Sequence, residues 1–159
     1  MYKIYKKQSA FGLIETILAS GILIVVVGAL ALISSVVLKS SRQTSEDLMA
    51  NYLIYDVFES ARQIRGTNYI DEDPNTSWDN GLVAGNKKLN FTDPLKPIFV
   101  DDVSGNGENL PLKRNIVYTR KINLEKIPTD KIKITVTILW GSGKQRKSAI
   151  ILTNYEQGF

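Results

Sequence analysis

Residues 11–38 read FGLIETILASGILIVVVGALALISSVVL, and this stretch decides the architecture of the 159-residue chain. After Glu15 no charged side chain appears until Lys39, so residues 16–38 form an uncharged run of 23 positions. About 20 predominantly apolar residues suffice to cross a bilayer as a helix. Lys3, Lys6 and Lys7 precede the run, which puts the N-terminus in the cytoplasm and everything after Lys39 outside. Glu15 does not fit a plain anchor. An ionised side chain at the bilayer centre costs at least ~2.5–3.5 kcal/mol, so a partner that neutralises it explains its presence better than chance. A cleaved secretory signal fits poorly, although Ala29-Leu30-Ala31 has the form of a cleavage site. A signal's apolar core spans about 7–15 residues, and here the run continues through Ile33, Val36, Val37 and Leu38.

Composition narrows the class further. The chain carries 20 Lys and Arg against 16 Asp and Glu, a formal +4. Three of those lysines lie in the first ten residues, so the remainder balances at 17 against 16 and the basic character does not by itself imply nucleic acid. Cysteine and histidine are both absent. That excludes disulfide frameworks, thiolate metal sites and nucleophile–histidine triads. No other catalytic constellation stands out, and the chain reads as a non-enzyme with no cofactor and no metal site.

Past Lys39 the helical pattern continues. Leu48, Tyr52, Tyr55, Val57 or Phe58, Ala61 and Ile64 recur at spacings of three and four, with charged residues mainly between them. Gly66 stands where a helix C-cap is expected. A helix from Phe11 to Arg65 would be ~80 Å long at ~1.5 Å per residue, bare in its first half and amphipathic in its second. Residues 67–86 are rich in Asn, Asp, Gly and Ser without sustained periodicity and read as loop. Short strands are expected at 88–91 and 97–100. The clearest β signal is KIKITVTILW at 131–140, where Ile132, Ile134, Val136, Ile138 and Trp140 alternate with mostly polar residues. Strands near 114–124 and 146–155 flank it and complete a three-stranded meander.

Two acidic clusters invite a cation reading. Asp71, Asp73, Asn75 and Asp79 have calcium-loop spacing, but the sixth place is Thr76 where Gly is needed, and the twelfth is Leu82 where a bidentate Glu is needed. A solvated loop is the better reading there. Asp101, Asp102, Asn106 and Glu108 carry the same ambiguity. Lys144, Arg146 and Lys147 beside the Gly141-Ser142-Gly143 turn have no interleaved aromatics, far below a nucleic-acid footprint.

The segment KKQSA-FGLIETILASGILIVVVGALAL, residues 6–32, resembles the N-terminus of type IV pilins and the related type II secretion pseudopilins. In that family a short basic leader ends in a small residue, the mature chain starts with an aromatic, and its fifth residue is Glu inside an apolar helix. The resemblance, which extends to about residue 38, implies a leader at 1–10, cleavage between Ala10 and Phe11 by a prepilin peptidase, and N-methylation of Phe11. It makes Glu15 the assembly carboxylate, paired with the amine of a neighbouring subunit. Ala10 departs from the family, which prefers Gly before the cut; Phe11 and Glu15 agree on the register nonetheless. The C-terminal segments TVTILW and KSAIILTNY look like those of V-type minor pilins.

The resulting expectation is an α+β, pilin-like fold, a long N-terminal helix packed against a small antiparallel sheet. Its parts would be a leader at 1–10, a transmembrane and assembly helix at 11–38, an amphipathic half at 39–65 and a globular head at 66–159. The resemblance implies a minor pilin or pseudopilin, inserted in the inner membrane and then assembled into an extracellular or periplasmic filament. Its partners would be other pilin subunits, the prepilin peptidase, the pilus assembly platform and the membrane. No small-molecule substrate or nucleic acid is called for. The alternative is a single-pass anchored extracytoplasmic binding module that does not polymerise.

Overall fold

The computed structural model describes residues 9–71, 76–93, 96–112, 116–128 and 130–154. One helix, α1 (Ser9–Ile70), precedes six strands: β1 (Gly85–Asp93), β2 (Lys96–Asp101), β3 (Glu108–Leu112), β4 (Ile116–Ile127), β5 (Lys131–Trp140) and β6 (Lys144–Thr153). The chain divides into two compact units, residues 1–46 and 47–159.

In the first unit α1 is long and apolar enough, by length and composition, to cross a membrane. Every side chain from Gly12 to Ser45 is exposed. The hydroxyls in the apolar run bond back to the helix itself. Thr16 Oγ1 donates to the carbonyls of Gly12 and Leu13 (3.0 and 2.9 Å), and Ser20, Ser34 and Ser35 reach carbonyls three or four residues back at 2.7–2.9 Å. A helix in hydrocarbon needs this, because no water is there to take the bond.

The second unit is an α+β arrangement in which the later turns of α1 pack on the sheet. The strand order is β2-β1-β4-β5-β6, and β3 also pairs with β4. All pairs are antiparallel. Strand β4 organises the sheet. One of its edges pairs with β5 from Tyr118↔Trp140 to Ile127↔Lys131. Its other edge takes β3 at Arg120↔Glu108 and then β1 at Ile122↔Lys87. The predicted alternation of β5 holds, with Ile132, Ile134, Val136, Ile138 and Trp140 all buried. Tyr118 on the neighbouring strand stacks on Trp140, ring centroids 6.0 Å apart.

Several expectations are corrected. Gly66 does not end the helix, which runs on to Ile70. The amide of Asp71 still bonds the carbonyl of Thr67 (3.0 Å), and Asn68 Nδ2 donates to the carbonyls of Trp78 and Asn80. These bonds hold the last turn and outweigh the ~1 kcal/mol helix penalty of a glycine. The expected buried stripe holds at Val57, Phe58, Ala61 and Ile64 but departs in the turns before them. Ala50, Leu53, Ile54, Val57, Phe58 and Ala61 face the core, while Leu48, Tyr52 and Tyr55 are 62–67% exposed. Both stripes have helical spacing. The observed one adds Ala50, which admits close approach, and it leaves two phenolic hydroxyls in water. The meander is part of a larger sheet: β3 was not anticipated, β1 and β2 are longer than expected, and the flanking strands lie at Ile116–Ile127 and Lys144–Thr153. Leu82, in a segment read as loop, is fully buried.

Candidate functional site

Ala10 and Phe11, the expected cleavage junction, fall in the first turn of α1, and residues 1–8 of the expected leader lie outside the described residues. Glu15 follows Phe11 by four positions, one helical turn, a rise of ~6 Å. Its side chain is exposed, and among the described residues no cation lies within 4.0 Å of it and no hydrogen bond reaches it. It is thus the one polar side chain between Gly12 and Leu38 without an internal partner, since Thr16, Ser20, Ser34 and Ser35 are all bonded to the backbone. Gly21 and Gly28 have open space where a Cβ would sit. They leave shallow places on the helix where another helix can approach closely.

The acidic clusters are used internally. Asp102, buried after β2, accepts Ser104 Oγ (2.7 Å), the Gly107 amide (2.7 Å) and Lys88 Nζ (3.0 Å). Those bonds, Ser104 first, hold its carboxyl far below the usual carboxylate range. Gly107 makes the turn possible: its φ is +84°, and a Cβ there would lie 2.6 Å from the Arg120 carbonyl. Asp101 pairs with Lys87 (2.5 Å). Glu108 pairs with Arg120 (2.7 Å), whose guanidinium is 2% exposed and also meets Asp56 on α1 (2.9 Å). This triad joins α1, β3 and β4. The carboxylates in the 101–108 segment therefore have cationic partners from the chain itself and do not form a cation site. Asp73 and Asn75 lie outside the described residues. Asp79 of the same cluster pairs with Lys126 (2.6 Å) and accepts from Ser77. Among the described residues no group of three or more acidic side chains is placed to hold a metal ion.

The triad was missed in the sequence because Asp56, Glu108 and Arg120 are distant along the chain and each sits in an ordinary polar context. A weak signal was there: Arg120 occupies an inward position in the alternation that buries Tyr118, Ile122 and Leu124. The basic tip at Lys144, Arg146 and Lys147 is exposed, and the strand register splits it between two faces, Arg146 opposite Ile138 and Lys147 opposite Thr137. No protein-family model, no curated protein and no solved structure matches the chain.

Proposed function

We propose that the chain is a structural subunit of a helical filament, a minor pilin or pseudopilin of the type IV pilus and type II secretion kind. The observation that carries this reading is Glu15, an unpartnered carboxylate in a membrane-length apolar run, residues 12–38, whose other polar side chains all bond to the helix backbone. Cleavage between Ala10 and Phe11 by a prepilin peptidase creates a free amine, which is then methylated. In a bundle of such helices that amine pairs with Glu15 of a neighbour. Leaving either charge alone in a dry bundle is expensive, whereas the satisfied pair is tolerable and sets register. The subunit waits in the inner membrane with its N-terminus cytoplasmic. It leaves through the assembly platform into the filament, with other pilin subunits as partners and no cofactor.

Glu15→Gln tests the reading. It keeps size and removes charge, so insertion and cleavage before Phe11 persist, while the neighbour's amine loses its counter-ion. The expected result is a cleaved, stable subunit that falls at least tenfold in sheared surface filaments relative to the membrane fraction. Equal recovery of variant and wild type in the sheared fraction would refute the assembly role. Mass spectrometry of native protein beginning at Met1 would refute the processing.

A further inference from the structure

The face of the sheet turned away from α1 carries a second candidate site, which owes nothing to the filament reading. Register places Lys121, Thr137 and Lys147 side by side across β4, β5 and β6, with Asn123 and Thr135 in the next row. These residues floor a depression of ≈ 400 Å³, walled on one side by Asn86 and Gly105. Adjacent strands are ~4.8 Å apart, so Lys121 and Lys147 stand ~10 Å apart at their Cα atoms with a hydroxyl between them.

The charges here do not cancel. Two carboxylates line the depression, and each has its own ammonium: Asp102 has Lys88 at 3.0 Å, and Glu125 has Lys133 at 4.0 Å. Lys121 and Lys147 have no carboxylate within 4.0 Å among the described residues. The depression is therefore net positive, with Lys121 and Lys147 as its two unpaired charges above a floor of hydroxyl and amide groups.

Which anion suits it follows from what the face lacks. The outward positions of β4, β5 and β6 are odd-numbered, 117–127, 131–139 and 145–153, and none of them is aromatic or arginine. Stacking on bases or on sugar rings is thus ruled out as a mode of recognition, and so is a planar bidentate fork onto a carboxylate or a phosphate. Lysine binds phosphate as a point charge. Thr135, Thr137 and Asn123 offer both donors and acceptors to hydroxyl groups.

We propose that this depression binds a polyol-phosphate chain, a linear hydroxylated polymer joined by phosphodiesters, with Lys121 and Lys147 on successive phosphates and the threonine–asparagine floor on the polyol hydroxyls. The test uses the full chain in detergent and immobilised poly(glycerol phosphate) at about 0.15 M salt, where screening already removes weak long-range attraction. Wild type binds, and Lys121→Gln with Lys147→Gln weakens binding at least tenfold. Lys121→Arg with Lys147→Arg retains it to within threefold and guards against a folding artefact. Lys96→Gln with Lys131→Gln, two exposed lysines outside the depression, changes it less than twofold. Polyacrylate, charged but without hydroxyls, binds at least fivefold more weakly. The proposal is overturned by no binding at that salt, by indifference to the Lys121/Lys147 glutamine pair, or by equal binding of polyacrylate. Tighter binding of duplex DNA than of the polymer overturns it too.

Discussion

Residues 12–38 and residues 50–64 belong to one helix, yet they meet their needs in opposite ways. The first stretch exposes every side chain and bonds its hydroxyls to its own backbone. The second buries one face, from Ala50 to Ala61, under a sheet and answers its one inward acid, Asp56, with a buried arginine from β4. Only Glu15 breaks the pattern in the first stretch. A helix segment with self-satisfied polar groups is suited to lipid, and one with a single buried face is suited to a soluble core. The contrast locates where each kind of surroundings begins.

The largest expected effect breaks the two apart. A chain beginning at Lys39 should lose all membrane association and remain soluble and folded, because the core of the second unit draws nothing from residues 12–38. Gel filtration and circular dichroism check this. An aggregated or unfolded product would mean that the apolar run supports the sheet.

Within the second unit, Trp140→Ala and Arg120→Ala should each destabilise by about 3–5 kcal/mol, for different reasons. Trp140 is 5% exposed and its removal leaves a cavity beside Tyr118. Removing Arg120 leaves Asp56 and Glu108 facing each other without their shared cation. Urea unfolding of the soluble chain measures both. Arg120→Met should recover part of the loss only when Asp56 and Glu108 are also made neutral and apolar, since the cost lies in the unpaired carboxylates.

The membrane-length helix and the buried face of β5 were legible in the sequence because each is a strict pattern: an unbroken apolar run, and a period of two from Ile132 to Trp140. The phase of the middle helix before Val57 was not. Residues 48–58 are apolar nearly all round, so two stripes share the same spacing, and only the sheet decides between them. Gly66 misled for a related reason, since the bonds that carry the helix past it come from Trp78 and Asn80. Strand β3 was hidden by its brevity and by Pro111, a residue that discourages a strand assignment. Of the candidate site, Glu15 could be read from its apolar setting alone. The depression on the outer sheet face could not, because it exists only once the register of β4, β5 and β6 aligns Lys121 with Lys147.

A pair of leucines five positions apart sharpens the phase. Leu53→Ala should cost about 2–5 kcal/mol, as deletions from a packed core do, because Leu53 is 6% exposed. Leu48→Ala should cost less than about 0.5 kcal/mol, as surface changes do, because Leu48 is 62% exposed. Similar values for the two would return the helix to the expected phase.

The smallest effect is a pH dependence confined to the second unit. The carboxyl of Asp102 is held far below its ordinary value by Ser104, Lys88 and the Gly107 amide, against the opposing effect of burial. At Asp79 partial burial is the largest single influence and pushes upward, but bonds from Lys126 and Ser77 together outweigh it and the net shift is downward. In the unfolded chain both acids titrate near ~3.9. A carboxyl that binds its proton more weakly when folded contributes stability above the unfolded value, and that contribution fades as acid drives protons onto it. The soluble chain should therefore hold its stability down to about pH 4 and lose it progressively below. Asp102→Asn should lower stability at neutral pH and flatten the acid slope, and Asp79→Asn should do the same to a lesser degree. Helix content of residues 16–38 in detergent should not change over that window, since that segment carries no acid. Urea midpoints taken between about pH 2 and 7 decide the matter. An acid slope unchanged in both asparagine variants would show that these two loop acids do not set it.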